Sequence, residues 1–184
     1  MKYLIIAAIL GYTCWIGSEV IEIAQGGYNA TVYYLTAAFH LLAGIGIWGL
    51  HFLQSRKQNT LSAVGTVMIS LTYLALTYLP IQVMHSGLSG LEFAAANPVY
   101  KIPGMINVFG LIVFGIAVIR TKFFPAWTGV IIILGSITFA VAMTQGLQII
   151  ANINNIILAT TIIYMCMLGY QRLQPQDTVT MQNS

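Results

Sequence analysis

Blocks of about 20 mainly apolar residues recur from one end of the chain to the other, the length of helix that crosses a hydrocarbon core of about 30 Å. Lipid cannot satisfy the backbone polar groups of coil or of an open strand edge, so each block has to be helical. Six spans are expected, at residues 3 to 24, 30 to 54, 60 to 85, 102 to 120, 126 to 146 and 150 to 170. The composition agrees: 58% of residues are hydrophobic and 6% charged, whereas about a quarter are charged in a soluble domain. The expected fold class is an all-α integral membrane protein, a six-transmembrane-helix bundle. Residues 1 to 172 read as a single transmembrane domain and 173 to 184 as a short flexible cytoplasmic tail.

Met1-Lys2 followed by an apolar run has the outline of a secretory signal. The apolar run continues past Glu19, and Tyr12 is bulky where a cleavage site needs small residues, so this segment reads as the first span. The connecting segments alternate in charge. Lys2, Arg56, Lys57, Arg120, Lys122 and Arg172 fall on one side, while Glu19, Glu22, Glu92 and Lys101 fall toward the other. Lys and Arg concentrate on the cytoplasmic face, which predicts that both termini are cytoplasmic. In the longest outer connection, Ser89 and Glu92 have the spacing of a capping box and Asn97-Pro98 supplies a stop. A short surface helix over Gly90 to Ala96 is expected there, as a lid or a connector, and Pro80 is expected to kink the outer end of the third span.

The stretch "NPVYKIPGMINVFGLIVFGIAVIRTKFFPAWTGVIIILGSI", residues 97 to 137, contains Gly110, Gly115, Arg120, Pro125 and Trp127: a glycine-rich apolar helix ending in Arg, then Pro-x-Trp opening the next helix. It resembles a hairpin that recurs in small uncharacterised multi-pass inner-membrane proteins of bacteria. The resemblance implies a multi-pass location in the cell inner membrane and brings no activity with it.

Several chemistries are excluded by pattern. Cys14 and Cys166 lack partners at metal-ligand spacing, so neither a metal site nor a disulfide framework is indicated. His40 and His51 share a helix face 11 residues apart, but His85, the remaining histidine, lies near an outer helix end, so paired haem ligation is not supported and no cofactor is expected. "LAGIGIWG" lacks the strand and basic residue of a phosphate loop. Nothing indicates nucleic acid as a partner. The lipid bilayer is one, and the apolar helix exteriors leave room for a homo-oligomer or a larger membrane complex.

Glu19 lies roughly 24 Å along the first helix from Tyr3, about one turn inside the outer leaflet, and Glu22 about one turn further out. An ionisable side chain at such depth faces the bundle interior or a wet cavity and marks a functional pathway. Gln82, Asn107, Gln145 and Asn155 fall in the same outer third, and His40 near mid-membrane on a stripe with Tyr33. These residues predict an outward-facing polar cavity sealed below by an apolar, glycine-rich zone. Glu19, Glu22 and His40 are the candidate catalytic or proton-accepting groups, and Tyr33, Gln82, His85, Asn107, Gln145 and Asn155 the candidate ligand-binding groups. The leading functional expectation is binding, and translocation, of a small molecule or ion. The alternatives are a membrane-embedded enzyme with a Glu general acid or base acting on a lipid-soluble substrate, and a non-catalytic accessory subunit of a larger membrane complex.

Overall fold

A computed structural model describes residues 1–54, 59–88 and 90–173 of the chain. Arg56, Lys57, Ser89 and the tail from residue 174 lie outside the described residues. Among the described residues, eight helices follow one another: α1 Lys2–Gln25, α2 Ala30–Gln54, α3 Thr60–Leu76, α4 Leu79–Ser86, α5 Gly90–Ala96, α6 Lys101–Thr121, α7 Ala126–Thr144 and α8 Gln148–Leu173, with a 3-10 turn, Pro98–Tyr100, leading into α6. Six of the described stretches are long and apolar enough to cross a membrane, with α3 and α4 together making the third. The protein is therefore a multi-pass helical bundle in architecture, and the expected spans hold to within a few residues.

Helix ends follow local chemistry. Gly26, at φ 69°, takes the left-handed conformation that closes α1, and its N–H donates to the Glu22 carbonyl. Asn29 and Asn59 accept from the N–H groups of Val32 and Ser62 through their side-chain oxygens, at 2.9 Å and 3.3 Å, opening α2 and α3. The third span breaks at Thr77 and Tyr78, as the proline predicts. In an unbroken helix the Pro80 ring would collide with the Leu76 carbonyl four residues back, so α3 ends at Leu76 and Pro80 sits in the first turn of α4. The short surface helix forms over Gly90–Ala96. The fifth span stops at Thr144 rather than 146, because Gly146 at φ 69° turns the chain toward α8.

The spans pack as a closed ring. α1 contacts α2, α2 contacts α3, α3 contacts α6, α6 contacts α7, α7 contacts α8, and α8 returns to α1. Short connections make successive spans antiparallel neighbours, and the α8–α1 contact completes the circuit. Met1, Phe52, Leu53, Phe123, Arg172 and Leu173 line one recess, so they mark one end of the ring. The turns at residues 26–29 and 145–147 and the segment from α4 to α6 mark the other.

Three neighbouring pairs meet backbone to backbone. A Cβ on Gly46 of α2 would fall 2.3 Å from the Ala8 nitrogen of α1, one on Gly65 of α3 2.7 Å from the Phe114 nitrogen of α6, and one on Gly115 of α6 2.8 Å from the Gly129 carbonyl of α7. Small residues permit this approach in lipid, where dispersion rather than the hydrophobic effect holds helices together. Inside the ring, Ile5, Tyr12, Phe39, Ile47, Ile69, Phe114, Ile132, Ile162 and Met165 form the packed core. The half of the bundle nearer Met1 is less purely apolar than expected, and several of its polar groups pair, although Gln54 Nε2 and Thr66 Oγ1 are buried without partners. The Trp48 indole donates to Ser70 Oγ at 3.0 Å, Ser70 donates to the Gly44 carbonyl at 2.7 Å, and His51 Nδ1 lies 2.9 Å from Ser62 Oγ. Outside, Leu10, Leu41, Leu71, Leu134 and Ile157 face outward as acyl chains require.

Candidate functional site

In the half of the ring remote from Met1, all six spans contribute to one chamber of about 220 Å³. α1 supplies Trp15 and Glu19, α2 Phe39 and His40, α3 Tyr73, α6 Asn107, α7 Ser136 and α8 Gln148 and Asn155. A wider depression of about 500 Å³ lies beyond it, lined by Glu22, Gly26, Gly27, Ile149 and Asn152, with Ala94 of α5 at its rim. Tyr28, Met143 and Gln148 border both spaces, so these three side chains form the neck between depression and chamber.

Two carboxylates define the site, Glu19 at 7% exposure and Glu22 at 6%. Being three residues apart on α1, they share a face. α8 runs antiparallel beside it and presents Gln148, Asn152 and Asn155, spaced four and three residues apart, as a matching stripe of amides. Asn155 Nδ2 donates to Glu19 Oε1 at 2.9 Å, and Gln148 Nε2 donates to Glu22 Oε1 at 3.1 Å. With its nitrogen toward the carboxylate, the Asn152 amide donates to Glu19 Oε2 at 3.1 Å and to the Gln148 carbonyl at 2.9 Å. Burying a charge is costly unless it is hydrogen-bonded, and here three amides from a single helix provide the bonds. Asn154 points the other way and donates to the Gly135 carbonyl at 3.0 Å, tying α8 to α7.

Other polar atoms around the chamber are left over. His40 Nδ1, Tyr73 OH, Asn107 Oδ1 and Asn155 Oδ1 are buried with no hydrogen-bond partner, and Tyr12 OH just behind them shares this condition. The Tyr12, Tyr73 and Asn107 polar ends lie near one another, but not in hydrogen-bonding alignment. Among the described residues, no Lys or Arg lines the chamber or the depression, and no group of three His, Cys, Asp or Glu is placed to hold a metal ion. Tyr28, in the turn between α1 and α2, leaves much of its ring open and turns its hydroxyl inward. Burial of that end, with Glu22 and Glu19 beside it, pushes the phenol well above its ordinary range, so it stays an O–H donor at the neck.

Of the candidates read from sequence, Glu19, His40, Asn107 and Asn155 meet in the chamber, and Glu22 belongs to the depression above it. The others lie elsewhere. Tyr33 stacks on Tyr28, ring centroids 5.3 Å apart, one layer behind the neck. Gln82 accepts from the Tyr100 hydroxyl at 2.7 Å and so fastens α4 to the turn before α6. His85 is exposed at the end of α4. Gln145 corrects the expectation that it lines the cavity: it is the exposed cap residue of α7, and the left-handed turn at Gly146 carries it away from the ring's interior. Gln148 and Asn152 line the same spaces beyond the candidates read from sequence. The signal for them is the match between an acid pair on one span and amides at four- and three-residue spacing on another.

Fold and site together define a multi-pass helical membrane protein whose ring of six spans encloses a carboxylate-bearing polar chamber. No family model, no curated protein and no solved structure matches the chain.

Proposed function

We propose that the protein binds a small polar molecule or ion in this chamber, taken from the extracytoplasmic side of the membrane, with Glu19 as counter-charge or proton acceptor. The observation that carries the reading is Glu19 itself. It lines a central cavity at 7% exposure, held by amides, with no described Lys or Arg in the lining. A carboxylate kept under those conditions is costly to the fold and is explained by what it binds. Lys2, Arg120, Lys122 and Arg172 all belong to the end of the ring remote from the chamber's mouth. By the cytoplasmic bias of Lys and Arg, both termini are inside and the mouth faces out. The resemblance of residues 97 to 137 points to a bacterial inner membrane.

Binding is favoured over free passage. Below the chamber, Tyr12, Ile69, Phe114, Ile132 and Ile162 fill the ring, each at 1% exposure or less. Translocation would require those layers to part. Chemistry on a lipid-soluble substrate is the second reading, favoured by one observation: Glu19 and His40, two groups able to exchange protons, line the same small space.

Cysteine accessibility tests the proposal. In a background with Cys14→Ala and Cys166→Ala, Gln148→Cys in intact cells is expected to react quickly with a membrane-impermeant maleimide and Asn155→Cys more slowly. Reaction of Gln148→Cys only in inside-out vesicles, or at neither face, would overturn the outward-facing chamber.

A further inference from the structure

We infer that the ligand of the chamber is a small organic cation bearing N–H groups, an alkylammonium or guanidinium. This rests on the reading of the chamber as a ligand site and names the chemistry that site selects. Charge gives the first argument. The two carboxylates lie one behind the other along the route from depression to chamber, and among the described residues no basic side chain lines either space. In a surrounding of low dielectric, an anion placed beside Glu19 would meet repulsion that nothing offsets.

The hydrogen-bond inventory is the second argument and is independent of the first. Asn155 gives its Nδ2 to Glu19 Oε1, and because a carboxylate only accepts, that bond fixes which way the amide faces. Its Oδ1 is therefore left as an acceptor. Asn155 is 5% exposed, and this oxygen has no partner. Tyr73, 2% exposed, brings an unpartnered hydroxyl to the chamber wall that can accept from a guest's N–H or donate to it. A buried acceptor without a donor is a standing cost. With the Asn107 Oδ1 also unpartnered, the chamber wall holds two amide oxygens that can only accept, and an ammonium or guanidinium brings the donors they lack. A quaternary ammonium brings charge without donors and leaves Asn155 Oδ1 as it was.

The remaining wall suits the hydrocarbon of such a ligand and its charge alike. Trp15 and Phe39 stack at 4.3 Å, Phe39 meets Tyr73 edge-on at 5.0 Å, and these rings line the chamber beside Glu19. Aromatic rings attract cations through their quadrupole. The volume of about 220 Å³ lies below the usual range for drug-sized ligands and restricts the guest to a small molecule. The lack of a three-ligand cluster among the described residues argues against a transition metal.

Calorimetric titration of the full-length protein in mild detergent, with thermal unfolding as a fold control, tests this with five probes: n-butylammonium, methylguanidinium, tetramethylammonium, n-butyrate and 1-butanol. The expected result is saturable binding of the first two, at least about tenfold weaker binding of tetramethylammonium, and none of the last two. Glu19→Gln should weaken n-butylammonium by about tenfold or more, while Glu19→Asp keeps most of the binding. Tyr73→Phe, which removes one hydroxyl, should weaken it severalfold and serves if Glu19→Gln does not fold. If n-butyrate or 1-butanol binds as tightly as n-butylammonium, the cation class is overturned and the chamber still binds. Equal affinity for tetramethylammonium overturns the N–H requirement. Binding of n-butylammonium that ignores both substitutions overturns the site, and a folded protein that binds no probe overturns this inference together with the reading beneath it.

Discussion

Gly46→Ala is the sharpest test of how the ring is held together. The new methyl carbon would sit 2.3 Å from the Ala8 nitrogen, 2.5 Å from its Cα and 2.7 Å from its Cβ. Ordinary contacts begin near 3.4 Å, so α1 and α2 would have to separate by about 1 Å along their most extensive interface, and no side chain can rotate aside because the obstacle is backbone. Overpacking of this kind costs about 1–3 kcal/mol, and a backbone obstacle places the cost at the upper end. Replacing a helical Gly by Ala returns roughly 0.5–1 kcal/mol of conformational entropy, which leaves a net loss of about 2 kcal/mol. For a chain of this length that is a melting midpoint lower by about 4–8 °C. Gly17→Ala is the matched control in the same helix pair: its methyl carbon would meet Leu35 Cδ1 alone, at 3.6 Å, so only the entropic gain applies and the midpoint should hold or rise. Both variants are read as apparent midpoints at one scan rate in one detergent. A Gly46→Ala protein that melts as high as Gly17→Ala would refute the claim that backbone contact sets the α1–α2 spacing.

Asn155→Leu removes the donor to Glu19 Oε1 and should lower stability by about 1–3 kcal/mol. Thermal unfolding should show that loss largely suppressed when Glu19→Gln is also present, as a double-mutant cycle requires of coupled groups. Ser70→Ala breaks both the bond from the Trp48 indole and the bond to the Gly44 carbonyl. At about 0.6 kcal/mol per bond between membrane helices, unfolding should report a loss near 1 kcal/mol. Tyr12→Phe removes a buried hydroxyl that has no partner in hydrogen-bonding geometry, so its unfolding midpoint should match or exceed that of the parent.

Depth was legible in the sequence, and azimuth was not. Bilayer thickness sets how long an apolar block must be, so the six spans could be located by length, and Pro80 and Asn97-Pro98 marked a break and a stop correctly. Rise per residue then placed Glu19, Asn107 and Asn155 at a common level, where they do meet in the chamber. The same argument also gathered Gln82 and Gln145, which share that level but point elsewhere. Deciding which residues face inward needs the neighbours of each helix, and the α8–α1 closure joins residues 136 positions apart for Glu19 and Asn155. Gln148 is hidden from the sequence for a simpler reason. The last helix begins at Gln148, before the expected start at residue 150, because the Gly146 turn is tight.

The glycine contacts also bear on how such a ring can move. Where helices touch through backbone, there are no rotamers to rearrange, and sliding one helix by a residue would drive a side chain into its neighbour's main chain. The pairs α1 and α2, α3 and α6, and α6 and α7 are thereby locked in register. Rocking one part of the ring against the rest would tear two such seams, one or none, depending on where the split fell, and only splits between two of the α2–α3, α7–α8 and α8–α1 boundaries leave all three intact. Motion that admits a guest is thus channelled to those three boundaries and to the side chains at the neck, and the seamed helix pairs serve as a stationary frame.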